Sequence, residues 1–165
     1  MVDVAANCRG VLERIREAAA RSGRDPQTIK LLGASKSQPV DRIRAAIDAG
    51  VRLFGENYVQ EAQAKRAAIR EAVEWHMIGH LQRNKVKAAL DLFDLIESVD
   101  SIQLARELDK EGKKRGRVVR AFVEVNLACE ESKSGIATGQ VAALLEDAEK
   151  LSHIRIEGLM AVPPL

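Results

Sequence analysis

The sequence has few cysteines, no long apolar run and almost no net charge, and each shortage closes off a class of function. Cys8 and Cys129 are the only thiols in 165 residues. They stand too far apart for a CxxC or CxxH zinc pair or a disulfide framework, so no metal site is expected. No apolar stretch approaches the ~20 residues that cross a bilayer. The opening MVDVAANCRGVLERIREAAARSGR is interrupted throughout by acids and bases, unlike a secretory leader. A cytoplasmic protein without a membrane partner is therefore expected. A net charge of +2 does not point to nucleic acid. The basic run Arg83, Lys85 and Lys87 lacks interleaved aromatics and reads as a solvated helical face.

What is present fits a single soluble domain. Hydrophobic residues at 46% and charged residues at 30% exclude a disordered or membrane chain, and the length suffices for a sizeable core. Val4, Cys8, Val11, Leu12, Ile15 and Ala19 recur at helical spacing, predicting an N-terminal helix over residues 4–21. Strands are then expected at Thr28–Ser35, Val51–Gly55, Glu74–Gly79, Phe93–Ser98, Val118–Asn126 and Ile154–Val162. Helices fall between them, at Val40–Ala49, in an Ala/Gln/Lys/Arg-rich stretch after the second strand to about Ala72, and at Asn84–Leu90, Ile102–Arg115 and Thr138–Leu151.

Strands separated by helices imply right-handed βαβ units and a parallel sheet. Two architectures compete, a doubly wound open sheet and a (β/α)8 TIM-type barrel. No GxGxxG follows the first strand, which weighs against a dinucleotide-binding open sheet. Polar or reactive residues instead recur at successive strand ends: Lys36, Glu56-Asn57, His80, Ser98-Asp100, Asn126 and Met160. In a barrel those ends share one mouth, where barrel enzymes place their sites. The expectation is an α/β barrel with about six of the eight βα units and an extra N-terminal helix.

Lys36 stands where an apolar strand passes through Gly33, Ala34 and Ser35 into a turn, with Pro39 and Asp41 opening the next helix. A lysine at a barrel mouth is expected to be partly desolvated, which favours the neutral amine that attacks an aldehyde or ketone. Taken alone, the same local sequence better describes a solvated lysine in a turn.

More of the chain bears on that choice. After LLGASK come, in order, FGENYVQEAQAK, WHMIGHLQRNKVK, ESVDS, VEVNLACEESKSGI and IEGLMAVPP. Together these phrases closely resemble the pyridoxal phosphate homeostasis proteins, a pyridoxal-phosphate-binding family with a fold similar to the barrel domain of alanine racemase. The resemblance covers nearly the whole chain. It implies that Lys36 holds pyridoxal 5'-phosphate through a Schiff base. Asn57 matches a family asparagine on the cofactor side, although it could equally cap the following helix. His80 matches a position at the mouth, and Met160 either packs against the pyridine ring or fills core space. His76 is read as structural and Trp75 as facing a helix. Ser132, Lys133 and Ser134 read either as an anion contact at the mouth or as an ordinary polar turn.

The family continues for two further strands, which bring a phosphate-binding segment and an arginine near the pyridine nitrogen. The expectation is therefore a single domain over 1–165, C-terminally truncated, with the Schiff-base half of a cofactor site. Three functions compete. The first is a carrier that holds the cofactor for apo-enzymes without turnover, a part in vitamin B6 homeostasis. The second is a racemase-like enzyme acting on amino acids, and the third a cofactor-free Schiff-base aldolase. Racemisation needs an acid or base on each face of the cofactor. The only tyrosine, Tyr58, lies beside Asn57, and the sequence shows no second-face partner. The carrier is favoured.

Overall fold

A computed structural model describes residues 3–127 and 134–163. Helix α1 spans Val4–Arg21, with the Asp3 side chain accepting from the Ala6 N–H at 2.9 Å to cap it. The chain then runs β1 (Leu32–Ala34), α2 (Val40–Asp48), β2 (Leu53–Glu56), α3 (Val59–Ala68), β3 (Glu74–Met77), α4 (Val86–Leu92), β4 (Leu95–Val99), α5 (Ile102–Lys114) and β5 (Val119–Asn126). A two-residue β6 (Ile136–Ala137), α6 (Val141–Ala148) and β7 (Ile154–Met160) follow.

Strands β1 to β5 lie side by side in chain order, every pair parallel, and β7 continues the sheet on the far side of β5. A doubly wound sheet would reverse its strand order at a switch point. No reversal occurs among these six strands, and the advance in one direction is that of a barrel. Among the described residues β1 and β7 do not pair, so the barrel is not closed.

The period of two along each strand sorts residues onto two faces. Phe54, Trp75, Ile96 and Ala121 lie on one face and pack into a single core with Ile43 and Ile47 of α2, Ala62 of α3 and Leu108 of α5. Trp75 is therefore helix-facing as expected, and its ring centroid lies 5.8 Å from that of Phe54. The opposite face is ionic. His76 Nδ1 lies 2.5 Å from Glu97 Oε1, Arg120 meets Glu74 at 3.6 Å and Glu157 at 3.0 Å, and Arg155 meets Glu157 at 2.5 Å. Buried and partnered, His76 has the structural role the sequence suggested.

Three expectations are corrected. The first strand begins at Leu32 and not Thr28, because Asp25-Pro26 starts a 3₁₀ turn through Thr28. The Asp25 carboxylate accepts from the Gln27 N–H at 2.9 Å and holds that turn. Helix α3 stops at Ala68 and not near Ala72, because Ile69 takes an extended conformation and buries its side chain in the core. The strand β6 was not anticipated; it pairs with Val125 and Asn126 at the end of β5. Two residues are too few to carry a periodic signal.

Candidate functional site

The carboxyl ends of the strands set out a row of side chains in the order Lys36, Asn57, His80, Asp100, Asn126 and Met160, following β1 through β5 and then β7. At the head of the row, Ser35 to Gln38 form a β-turn closed by the Gln38 N–H donating to the Ser35 carbonyl at 3.0 Å. Lys36 occupies its second position, and Ser37, the third, has φ of 59°. A left-handed serine costs conformational energy and persists only where its surroundings hold it.

Helix α3 does the holding. Lys65 Nζ donates to the Ser35 carbonyl at 2.5 Å, to Glu56 Oε1 at 2.7 Å and to Glu61 Oε1 at 2.7 Å. These three bonds use every proton of its ammonium group. Glu61 Oε1 also accepts from the Ser37 N–H at 2.6 Å, and the Ser35 hydroxyl donates to Glu56 Oε1 at 2.6 Å. Glu56 is 0% exposed and Lys65 6%. The hydrogen bond from Lys65, together with those from Ser37 and the charge of Lys65, holds the Glu61 carboxyl below its ordinary value against the opposing effect of burial.

Lys36 itself is exposed and makes no hydrogen bond or ion pair among the described residues. The desolvated environment expected for it is not found. Among the described residues strand β1 pairs only with β2, so the sheet flanks Lys36 on one side.

Further along the row, Asn57, Gly79, His80, Glu124, Asn126, Ser134 and Val162 are among the residues lining a cavity of about 220 Å³, whose wall does not include Lys36. Asn57 and His80 also border a second hollow of about 470 Å³ with Tyr58, Gln82 and Lys85. His80 is oriented by Asp100, whose Oδ2 lies 3.1 Å from Nδ1. Of the four residues singled out from the sequence, the structure brings Asn57 and His80 to one cavity. Lys36 stands at the neighbouring strand end. Met160 is half-buried on β7 in register with Glu124, but it is not part of the cavity wall. Ser132 and Lys133 lie outside the described residues.

Two wall residues were not singled out from the sequence. A Cβ on Gly79 would lie 2.6 Å from the Asn57 carbonyl oxygen and 2.7 Å from its Cα. Glycine is what lets the ends of β2 and β3 close over Asn57. Gly79→Ala should therefore displace Asn57 and cost about 1–3 kcal/mol, as overpacking does elsewhere, measurable by denaturant unfolding.

Glu124 is 8% exposed, and its Oε2 has no hydrogen-bond partner among the described residues. Burial pushes its carboxyl above the ordinary value, Asp100 adds to the effect and His80 opposes it. The folded protein thus holds this proton more tightly than the unfolded chain does. That contribution to stability is present below the unfolded value of about 4.3 and is lost as pH rises through the raised folded value. Glu124→Gln should gain melting temperature relative to the parent between pH 4 and pH 7. A pH-independent difference would contradict this.

Among the described residues no group of three metal-ligating side chains converges, and no helix is long and apolar enough to cross a membrane.

Comparison with known proteins finds similar sequences and folds. A family model described as alanine racemase, N-terminal domain, matches residues 8–164. A pyridoxal phosphate homeostasis protein of Pseudomonas aeruginosa is 40% identical over 164 residues, covering 99% of this chain and 71% of the relative. PipY of Synechococcus elongatus, solved with PLP bound, is 39% identical with a TM-score of 0.76 over 91% of this chain and 70% of that one. Alanine racemase of Clostridium difficile is only 15% identical, yet superposes with a TM-score of 0.74 over 94% of this chain and 40% of its own. That likeness supports the barrel-type fold alone.

Proposed function

The chain belongs to the alanine racemase N-terminal domain family and, within it, to the pyridoxal phosphate homeostasis proteins, and on that premise we propose that it binds pyridoxal 5'-phosphate through a Schiff base to Lys36. The cofactor brings an aldehyde to the site. The neutral Lys36 amine adds to the aldehyde carbon, and both its hydrogens leave with the aldehyde oxygen as water, forming a C=N bond. The observation that carries the proposal is the contrast between two lysines at one turn. Lys65 spends every donor on the Ser35 carbonyl, Glu56 and Glu61, whereas Lys36 is exposed and unpaired among the described residues. Of these two lysines, Lys36 is the one whose amine is free to react.

The remaining residues fit the group. Asn57 offers an amide and His80 a ring nitrogen not engaged by Asp100, both on the cavity further along the row from Lys36. Met160, opposite Glu124 on β7 but outside the cavity wall, would contribute apolar contact only if the cofactor extends beyond that cavity. The protein acts as a reservoir in vitamin B6 homeostasis, placed in the cytoplasm, from which apo-enzymes take the cofactor. If the phosphate-holding loops follow residue 165, the chain should bind pyridoxal and its phosphate with affinities within about tenfold. A stronger preference would put the phosphate site within 1–165. Charge-assisted hydrogen bonds of roughly 1.5–3 kcal/mol each set that scale.

Adding pyridoxal 5'-phosphate to the purified protein should produce the visible absorbance of a Schiff base, and amino acids should not be turned over. Exchange of the α-hydrogen of alanine in heavy water at enzyme rates, roughly 1–10³ per second, would replace the reservoir by a racemase-like enzyme. An unchanged spectrum would remove the cofactor reading altogether.

A further inference from the structure

We propose that Glu61 and Lys65 are positioning residues for Lys36, an inference that rests on Lys36 being the amine that takes the cofactor. The backbone at Lys36 has two soft torsions, and these are set by the two peptide planes that meet at its Cα. The preceding plane carries the Ser35 carbonyl, which accepts from Lys65 Nζ at 2.5 Å and from the Gln38 N–H at 3.0 Å. The following plane carries the Ser37 N–H, which donates to Glu61 Oε1 at 2.6 Å. Both planes are thus tied to side chains of one helix, and the Cα–Cβ bond of Lys36 is aimed accordingly.

The two anchors are also tied to each other. Glu61 and Lys65 are four residues apart on α3 and bonded at 2.7 Å, the spacing that puts side chains on one helical face. Lys65 is fixed in turn by Glu56 at the end of β2, and Glu56 by the Ser35 hydroxyl. Ser35 is itself held on the sheet, its N–H donating to the Gly55 carbonyl at 2.9 Å. The result is a closed ring of bonds running from β1 through the turn, α3 and β2 back to β1. It also holds Ser37 at φ of 59°, a conformation serine does not favour. A lysine with no partner of its own depends on its backbone for direction, and this ring supplies it.

Glu61 is the anchor to test, because its side chain is partly exposed and its removal leaves the buried Glu56–Lys65 pair in place. The probe is pyridoxal 5'-phosphate, trapped by borohydride and quantified at Lys36 by peptide mass spectrometry. Thermal unfolding and hydrogen exchange at the Ser37 amide are read in parallel. Glu61→Ala should unfold within a few degrees of the parent and lose protection at Ser37. It should label Lys36 roughly 10- to 100-fold more slowly, the scale of a lost charge-assisted hydrogen bond. Adding Ser37→Gly should recover a large part of that rate, because glycine takes the left-handed conformation unaided. A purely structural role for Glu61 gives no such rescue.

Equal labelling rates in parent and Glu61→Ala, with Ser37 protection lost, would overturn the inference and leave the cofactor reading intact. Slow labelling that Ser37→Gly does not restore would overturn it equally. No labelling of Lys36 in the parent would remove the inference and the reading together.

Discussion

Lys65→Met is expected to lower the melting temperature by roughly 6–20 °C. Methionine matches the lysine stem in length, so packing against Val59 and Ala62 on the buried stripe of α3 is largely kept. What changes is charge. Glu56, 0% exposed, would keep the Ser35 hydroxyl but lose its only cationic partner. Removing one member of a buried ion pair costs about 3–5 kcal/mol, and a domain of this size loses about 2–4 °C per kcal/mol. The double variant Glu56→Gln/Lys65→Met leaves no charge stranded and should recover much of the loss. Thermal unfolding of the three proteins side by side checks both statements. A single variant that melts with the parent would mean that the pair contributes nothing to the fold.

Lys36→Ala should do the opposite, sparing the fold and abolishing covalent capture of the cofactor. Lys36 is exposed and makes no bond among the described residues, so its removal belongs with ordinary surface substitutions of about ±0.5 kcal/mol. That corresponds to a change of about 1–2 °C. The Schiff-base absorbance and the borohydride-stable adduct should both disappear, with Lys65 unable to take over because its donors are engaged. Reduction of the adduct by half, with the remainder on another lysine, would show that the site tolerates a second amine.

The contrast between these two lysines also marks where the sequence could be read and where it could not. The barrel-type order was legible because each strand ends in polar residues and is followed by an amphipathic helix, a signal carried by short-range periodicity. Lys36 was legible for the same reason, and because LLGASK heads a series of phrases with a family resemblance. Lys65 was passed over as one charge in an Ala/Gln/Lys/Arg-rich helix. A signal was there: Val59, Ala62 and Lys65 share one stripe of α3, and a lysine on an apolar stripe requires a buried partner. Which partner could not be known, since Glu56 and Ser35 come from two other strands and meet Lys65 only in the fold. Gly79 was missed because its role is an approach to Asn57 across strands. The exposure of Lys36 was misjudged because desolvation at a barrel mouth depends on walls to both sides, and among the described residues β1 pairs on one side alone.

Glu124 illustrates the same limit. Its place in β5, alternating with buried Val123 and Val125, predicts a side chain on the face away from the helices. Only the folded arrangement buries it at a cavity with His80 and Asn57, which raises its carboxyl, with Asp100 adding to the effect.

The most direct measurement is the identity of the lysine that carries the cofactor. The unaltered protein is incubated with pyridoxal 5'-phosphate, reduced with borohydride and digested, and every lysine is quantified for the pyridoxyl group by mass spectrometry. Modification concentrated at Lys36, with Lys65 unmodified, is the expected result. Modification spread evenly over the exposed lysines, or concentrated at Lys85 or Lys133 with Lys36 untouched, would contradict the assignment of the turn after β1 as the cofactor site.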